Sequence, residues 1–221
     1  MRGSLPGGHV ERLKVWVAVG LLAWAASGGA AVPWAVPPQP GPSFPELALE
    51  NPSGEDYFIG RALQRRLTVL AFYRGSWCPY SVQMLKELRN LEPELSGKGF
   101  QILAVTPERP FLIREMLDGL DLPYVVVCDR GNAVAGAFGL APLLSMEEAR
   151  RYGQAAQLPA PLPGEPAPRV PRPSLVVLGE DGRLYARIAG LVEEVPFNGA
   201  ELIRQCDQAR TASRLAGENL P

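Results

Sequence analysis

The residue with the clearest chemical potential in this sequence is Cys78, within the run Trp77-Cys78-Pro79-Tyr80-Ser81. The preceding residues 67–73 (LTVLAFY) are apolar and rich in strand-forming types, and proline suits the first position of a helix. The pattern therefore predicts a buried strand, a short loop and a helix that begins beside Cys78. Unpaired N–H groups and the dipole at a helix N-terminus stabilise a thiolate, the form of cysteine that attacks peroxides and disulfides.

Cys78 has a second interpretation, because free cysteine is commonly a small buried hydrophobe. Its place at a helix start, between an aromatic residue and a proline, favours the reactive thiol. The other two cysteines give weaker signals. Cys128 ends an apolar run and is expected to be buried and inert. Cys206 lies in the last predicted helix, where the sequence allows either a buried idle thiol or a resolving thiol for Cys78.

Histidine is nearly absent, since the single residue His9 precedes the apolar N-terminal run. The predicted folded part therefore has no Ser-His-Asp or Cys-His catalytic arrangement. Zinc and copper favour histidine and clustered cysteines, so we expect no metal and no other cofactor. The formal net charge of −1 lacks the basic excess typical of proteins that bind nucleic acid.

Short apolar strands alternate with amphipathic helices through the rest of the chain. The predicted strands are residues 44–50, 56–59, 67–73, 101–106, 124–128, 174–178 and 184–188. The predicted helices are residues 79–97, 111–120, 133–138, 145–156 and 201–216. Turn residues at 51–54 and 180–183 predict hairpins, and Ser145 with Glu148 forms a capping box. This order predicts an α/β fold whose sheet is covered by helices on both faces.

The N-terminal region has the pattern of an export signal. Basic residues precede the apolar run 15–26 (VWVAVGLLAWAA), and small residues follow at 27–31. This predicts a signal peptide over residues 1–31, cleaved near Ala31. The alternative is an uncleaved anchor, with residues 15–35 spanning a bilayer and the basic flank in the cytoplasm. Both interpretations place the folded part outside the cytoplasm, as in a periplasm.

Two segments are rich in proline. Residues 32–45 contain PWAVPPQPGPSFP, which cannot form the interior of a helix or sheet, and they are expected to be an extended linker before a domain at residues 46–216. Residues 159–173 form a second proline-rich stretch, for which a lid and a passive insertion are both compatible with the sequence.

Residues 69–80 (VLAFYRGSWCPY) resemble the redoxin family, also called the alkyl hydroperoxide reductase/thiol-specific antioxidant (AhpC/TSA) family. The likeness is to a peroxiredoxin-like branch with the motif FYRGxWCPYC, and it continues through GFQILAVTPE at 99–108 and the run at 173–183. It covers about residues 44–210. The resemblance implies a thioredoxin-like fold, with a central mixed sheet flanked by helices, and a thiol-based antioxidant or oxidoreductase activity.

The resemblance also implies roles for individual residues. Cys78 is the catalytic thiol, and Arg172 matches an arginine that stabilises the thiolate in peroxiredoxins, with Arg74 as an alternative. The sequence is equally compatible with Arg172 as a solvated arginine in a flexible loop. Pro173 matches the position of the cis-proline of thioredoxin folds, and the alternative is a trans proline that begins an edge strand. The remaining candidates form the surroundings of the thiol: Trp77, Pro79, Tyr80 and Ser81.

Two departures from the family pattern limit the chemistry. Ser81 stands where the family has a second cysteine, so a disulfide within a CxxC motif is excluded. Gly75 stands where peroxiredoxins have a threonine, which weakens an efficient peroxidase interpretation. Two routes remain for Cys78: oxidation by a peroxide to a sulfenic acid, or a mixed disulfide with glutathione or a client. Ser81 itself is either a hydrogen-bond donor to the thiolate or a passive replacement.

The sequence therefore predicts an extracytoplasmic thiol oxidoreductase that uses Cys78 alone. Its expected partners are a peroxide or disulfide substrate and a reducing thiol such as glutathione or a thioredoxin-like donor. The alternative is a non-catalytic binding module of thioredoxin fold that has lost turnover with its second cysteine. In that case Trp77 and Tyr80 would form a contact surface.

Overall fold

A computed structural model describes residues 35–44, 47–152, 158–161, 163–189 and 197–218 of the 221-residue chain. The predicted signal peptide lies outside these residues, and of the predicted anchor only Ala35 lies within them. The predicted capping-box helix is described as far as Tyr152. Within the described ranges, no helix combines the length and apolar character that crossing a bilayer requires.

Strands and helices alternate as the hydrophobic pattern predicts. The strands are β1 (Ala35–Pro40), β2 (Ala48–Glu50), β3 (Asp56–Phe58), β4 (Thr68–Phe72), β5 (Gln101–Thr106), β6 (Val125–Cys128), β7 (Ser174–Leu178) and β8 (Arg183–Ala189). The helices are α1 (Ile59–Leu63), α2 (Pro79–Gly97), α3 (Pro110–Leu120), α4 (Ala133–Ala137), α5 (Met146–Tyr152) and α6 (Gly199–Glu218).

The strands form one mixed sheet, in the order β1-β8-β7-β4-β5-β6-β2-β3 across the described residues. The β4, β5 and β6 strands are parallel neighbours, whereas β7 pairs with β4 antiparallel. The predicted hairpins are confirmed, because β2 pairs antiparallel with β3 and β7 with β8. The central mixed sheet flanked by helices confirms the predicted fold class.

The alternation of β4 side chains builds two apolar cores, one on each face of the sheet. Val69 and Ala71 belong to a core with α2, α3 and α6, while Leu70 and Phe72 belong to a core with α1 and α4. Every residue of β4 is buried, because helices cover both faces. The strand that leads to Cys78 is therefore the best-covered part of the sheet.

The N-terminal proline-rich segment differs from the predicted linker. Its residues Ala35–Pro40 form β1, which pairs antiparallel with β8 through Ala35 with Ala186 and Gln39 with Leu184. Proline cannot donate a hydrogen bond to a ladder, so it is tolerated on an edge strand whose outer side has no neighbour. Because β1 ends the sheet, the sequence rule holds for a sheet interior but does not forbid this edge position.

The second proline-rich stretch is tied to the loop before α5. Leu144 N–H donates to Pro168, Val170 N–H to Pro142 and Arg172 N–H to Leu140, at 3.0 to 3.3 Å. These backbone bonds fix residues 168–172 against residues 140–144.

Candidate active site

Cys78 occupies the N-cap of α2, one short loop after the central strand β4. Its backbone is extended (φ −95°, ψ 113°), its N–H donates to the Gly75 carbonyl at 3.1 Å, and its own carbonyl accepts from Val82 at 3.0 Å. Pro79 takes the first helical position, as predicted, and no acidic residue lies in the first turn to offset the helix dipole. The residue is only 2% exposed, and its thiol makes no capping hydrogen bond.

Ser81 anchors the start of the Cys78 loop, a role that sequence analysis did not predict. Its fully buried hydroxyl oxygen accepts the Arg74 backbone N–H at 3.1 Å. This bond joins the first turn of α2 to the residue that follows the end of the strand. The replacement of a second thiol by a hydroxyl therefore has a structural function in the loop.

Glu108 holds the middle of the same loop. Ser76 donates its backbone N–H to Glu108 Oε2 and its hydroxyl to Glu108 Oε1, each at 2.8 Å. The carboxylate is nearly buried, and burial raises the pKa of Glu108 while the two Ser76 hydrogen bonds oppose that rise. A charged group accepting two hydrogen bonds inside the protein is a strong and directional clamp.

Gly75 is required by the geometry between these two anchors. Its φ of +151° is a conformation that side chains disfavour. An added Cβ would lie 2.5 Å from Trp77 Nε1 and 2.8 Å from Glu108 Oε1. The residue that replaces the peroxiredoxin threonine therefore allows the close approach of the Trp77 ring and the Glu108 carboxylate.

An aromatic and cationic cluster covers the other side of the loop. The Trp77 and Tyr152 rings lie 5.1 Å apart between centroids, at 45°. Arg74 Nη1 donates to the Tyr152 hydroxyl at 3.2 Å, and its guanidinium carbon lies 5.4 Å from the Tyr152 ring centroid. The helix α5, opened by the confirmed capping box of Ser145 and Glu148, supplies Tyr152. Tyr80, in the first turn of α2, is 39% exposed.

Arg172 and Pro173 lie at the same end of the sheet as the Cys78 loop. Ser174 pairs with Phe72 in the antiparallel sheet, and the same register places Pro173 opposite Tyr73, the residue after β4. The Arg172 side chain is exposed. The pKa of Glu148 is lowered mainly by its hydrogen bonds with Ser145, and additionally by the positive charges of Arg74 and Arg172. Both candidate arginines therefore face the acidic start of α5.

The expected cis bond before Pro173 is wrong, because the described chain contains no cis peptide bond. Arg172 donates its N–H to Leu140, and the Ser174 hydroxyl donates to the Arg172 carbonyl at 2.7 Å. These bonds hold the segment on both sides of the proline in its trans form. The proline precedes the first residue of β7, where no ladder donor is needed.

Cys128 and Cys206 lie in the protein interior as free thiols. The Cys128 thiol donates a hydrogen bond to the Glu108 carbonyl, and burial raises its pKa to about 12. Cys206 is fully buried in the core beneath α6, where burial raises its pKa as well. The burial agrees with the interpretation of Cys206 as a buried thiol, and the alternative resolving role would need the core to open before its thiol met Cys78.

Sequence reasoning missed Glu108 and Tyr152 as members of the site. Glu108 ends the stretch GFQILAVTPE, whose likeness to the family could have directed attention to it. Tyr152 is a residue of the capping-box helix α5 and carries no motif, so only the contact of its ring with Trp77 identifies it.

Comparison with known proteins identifies a matching family and related folds. A family model described as the AhpC/TSA family matches residues 40–186. The thiol-disulfide oxidoreductase ResA of Halalkalibacterium halodurans is 30% identical over 98 residues, which is 44% of this chain and 54% of ResA. The chain thus matches about half the length of that relative.

Solved structures show the same fold at low sequence identity. The bacterioferritin comigratory protein of Xanthomonas campestris superposes with a TM-score of 0.59 at 19% identity, over 76% of this chain and 94% of that protein. A peroxiredoxin Q variant of Xylella fastidiosa superposes with a TM-score of 0.60 at 14% identity, over 81% of this chain and 98% of that protein.

Proposed function

Because this chain belongs to the AhpC/TSA family, we propose that it is a thiol-dependent oxidoreductase of peroxiredoxin type that works through Cys78 alone. The observation that carries the proposal is the position of Cys78, at the N-cap of α2 and at the end of the central strand. The residue therefore lies at the positive end of the helix dipole, and no acidic residue is present in the first turn of α2.

The proposed first step is the attack of the Cys78 thiolate on a peroxide. The sulfur bonds to the hydroxyl oxygen of the peroxide and the O–O bond breaks, so that Cys78 becomes a sulfenic acid. The alkoxide or hydroxide that leaves takes a proton from solvent and becomes an alcohol or water. An external thiol then forms a mixed disulfide with Cys78 and releases water. A second external thiol reduces that bond and leaves as a disulfide with the first.

An external reductant is proposed because the other two cysteines, Cys128 and Cys206, are buried free thiols. Ser81, in the first turn of α2, has a hydroxyl in place of a thiol. The same site supports direct thiol–disulfide exchange, in which the Cys78 thiolate displaces one sulfur of a disulfide and forms a mixed disulfide with the other. We place Arg172, or Arg74 in its stead, as the cation that assists either attack.

One observation favours the second candidate, a non-catalytic binding module. Cys78 is only 2% exposed, and Trp77 packs against Tyr152 beside it. A thiol so covered would contribute little to turnover if the loop never opened, and the Trp77 and Tyr80 rings would then be a contact surface.

The test is peroxide oxidation of the full chain in the presence of a sulfenic-acid trap, read by intact mass. We expect one trapped adduct per chain, lost in Cys78→Ser and retained in the doubly substituted Cys128→Ser/Cys206→Ser protein. An adduct that persists in Cys78→Ser would contradict the assignment of the reactive thiol. No adduct at all, with disulfide exchange also absent, would leave the binding module as the function.

We also propose that the protein is exported, on the basis of the basic, apolar and small-residue order of residues 1–31. Expression of the full chain in a bacterium, followed by fractionation and N-terminal sequencing, tests this. A mature N-terminus near Val32 in the periplasmic fraction supports cleavage, and a full-length membrane fraction supports the anchor. Recovery only from the cytoplasm contradicts both.

A further inference from the structure

We propose that Glu108 is the positioning residue of the site: by holding Ser76 it keeps Cys78 in the orientation in which the thiol reacts. The inference rests on the proposed function of Cys78. It adds a residue that follows β5 in the chain, contacts Ser76 and acts on Cys78 through the loop.

Glu108 is itself fixed from several directions. Its N–H donates to Thr106 Oγ1 at 3.3 Å, and its carbonyl accepts from the Cys128 thiol. These contacts join the residue to the carboxyl ends of β5 and β6, whose last residues Thr106 and Cys128 are paired in the sheet. With 3% of its surface exposed, Glu108 has little freedom to move. It is therefore a rigid support rather than a mobile surface carboxylate.

Glu108 holds the loop at Ser76, two residues before Cys78. Ser76 is held by both carboxylate oxygens, and Trp77 alone separates it from Cys78. The second anchor, Ser81 on the Arg74 N–H, fixes only the other end of the loop. Removal of the Glu108 contacts would leave residues 75–77 held by the turn from Cys78 N–H to the Gly75 carbonyl and by the packing of Trp77 on Tyr152.

A positioning role and an electrostatic role of Glu108 predict different effects when the carboxylate is replaced by a neutral side chain. A glutamine carbonyl can accept the Ser76 N–H while its amide donates to the Ser76 hydroxyl, so the Glu108→Gln side chain keeps both contacts. A role that depended on negative charge would be lost in that variant. The titratable groups that face Glu108, Tyr73 and Cys128, have raised pKa values through burial first, so both remain neutral near pH 7.

The test measures the rate at which Cys78 is alkylated in the folded full chain, by site-resolved mass spectrometry, for wild type, Glu108→Ala, Glu108→Gln and the exposed control Glu115→Ala. We expect Glu108→Ala to slow labelling about tenfold, since small misplacements of a reacting group cost large factors in rate. Glu108→Gln should stay within about threefold of wild type, and Glu115→Ala should not change it.

Equal rates for Glu108→Ala and wild type would overturn the proposal, and so would a Glu108→Gln rate as low as that of Glu108→Ala. If Glu108→Ala does not fold, Ser76→Ala decides, because it removes the hydroxyl contact and keeps the N–H contact. A slowing of about threefold supports positioning, and none contradicts it. Failure of the proposed function would give a different result: in the wild-type protein, Cys78 would be alkylated no faster in the folded state than in urea.

Discussion

Cys78 and Cys206 are both almost fully buried thiols in helical segments, yet they lie in opposite chemical settings. Cys78 caps the start of α2, where backbone N–H groups are unpaired, and a loop of polar contacts covers it. Cys206 lies within α6, inside an apolar core, where burial raises its pKa. Under the proposed function, burial alone therefore does not decide the reactivity of a thiol. The two thiols differ in their surroundings, which are the start of a helix and a clamped loop for Cys78 and the apolar core for Cys206.

Ser81→Cys is expected to change the chemistry of Cys78 most, because it places a second thiol beside Cys78 and leaves the surroundings of Cys206 as they are. Positions 78 and 81 are one turn apart at the start of α2, within the separation that a disulfide spans. Peroxide should convert the Cys78 sulfenic acid and the new thiol into a disulfide with loss of water, leaving the chain about 2 Da lighter than its reduced form.

Intact mass before and after peroxide, with a sulfenic-acid trap present, checks this result. The matched control is Gln83→Cys, an exposed residue of the same helix, which is too far along α2 to bridge to Cys78. A trapped adduct instead of a disulfide in Ser81→Cys would show that the first turn of α2 does not hold the two groups together.

Gly75→Ala should affect Cys78 strongly and Cys206 little. The added Cβ would contact the Trp77 ring and the Glu108 carboxylate, and the positive φ would strain the backbone. We expect about 1–3 kcal/mol of lost stability and a Cys78 alkylation rate lower by about tenfold. Gly97→Ala in α2 is the control, because nothing lies within 4 Å of its added Cβ. An unchanged Cys78 rate in Gly75→Ala would argue against a clamped loop.

Tyr152→Phe should have a smaller effect, because it removes the hydroxyl that accepts from Arg74 and keeps the ring against Trp77. Loss of one such hydrogen bond costs about 0.5–1.5 kcal/mol. Cys78 alkylation should change by less than about threefold, and urea unfolding should report the loss of stability. Tyr57→Phe on the edge strand β3 serves as the control. A large change in Cys78 rate would show that the hydroxyl contact, rather than ring packing, governs access.

The smallest effect is a pH dependence of stability that arises at Glu108. Burial raises the pKa of Glu108 in the folded state above its unfolded value near 4.5. Between these two pKa values the folded protein therefore keeps the Glu108 carboxyl protonated while the unfolded chain has lost that proton. The associated stability is present below pH 4.5 and is lost as pH rises through the folded pKa. Glu108→Gln should therefore gain stability relative to wild type as the pH rises from below 4.5 through the folded pKa of Glu108, measured by urea unfolding. A difference that stays constant with pH would contradict the shift.

Most of the fold was predictable, because a strand or helix that buries one defined face repeats its apolar residues with a clear period in the sequence. The apolar run before Cys78 and the proline after it predicted β4 and α2, and both are confirmed. The proline-rich N-terminal segment was harder. Its composition excludes a sheet interior but not an edge, and edge pairing depends on the position of β8, which lies far away in the sequence.

The site was predictable only in its local part. Cys78, Pro79 and Ser81 are adjacent in sequence, and their positions follow from the start of one helix. Glu108 follows β5 and Tyr152 ends the described part of α5, and their contacts depend on how those elements pack. The Ser81 bond to the Arg74 backbone is local, yet the sequence left its partner open because a hydroxyl has several acceptors and donors within reach.

The most direct test of the account is a site-resolved alkylation of all three cysteines in the wild-type full chain at pH 7, folded and in urea. The account predicts that Cys78 labels at least about 100-fold faster than Cys128 and Cys206 in the folded protein, and that the three rates converge on unfolding. Cys206 labelling as fast as Cys78 in the folded protein, or Cys78 labelling more slowly folded than unfolded, would contradict it.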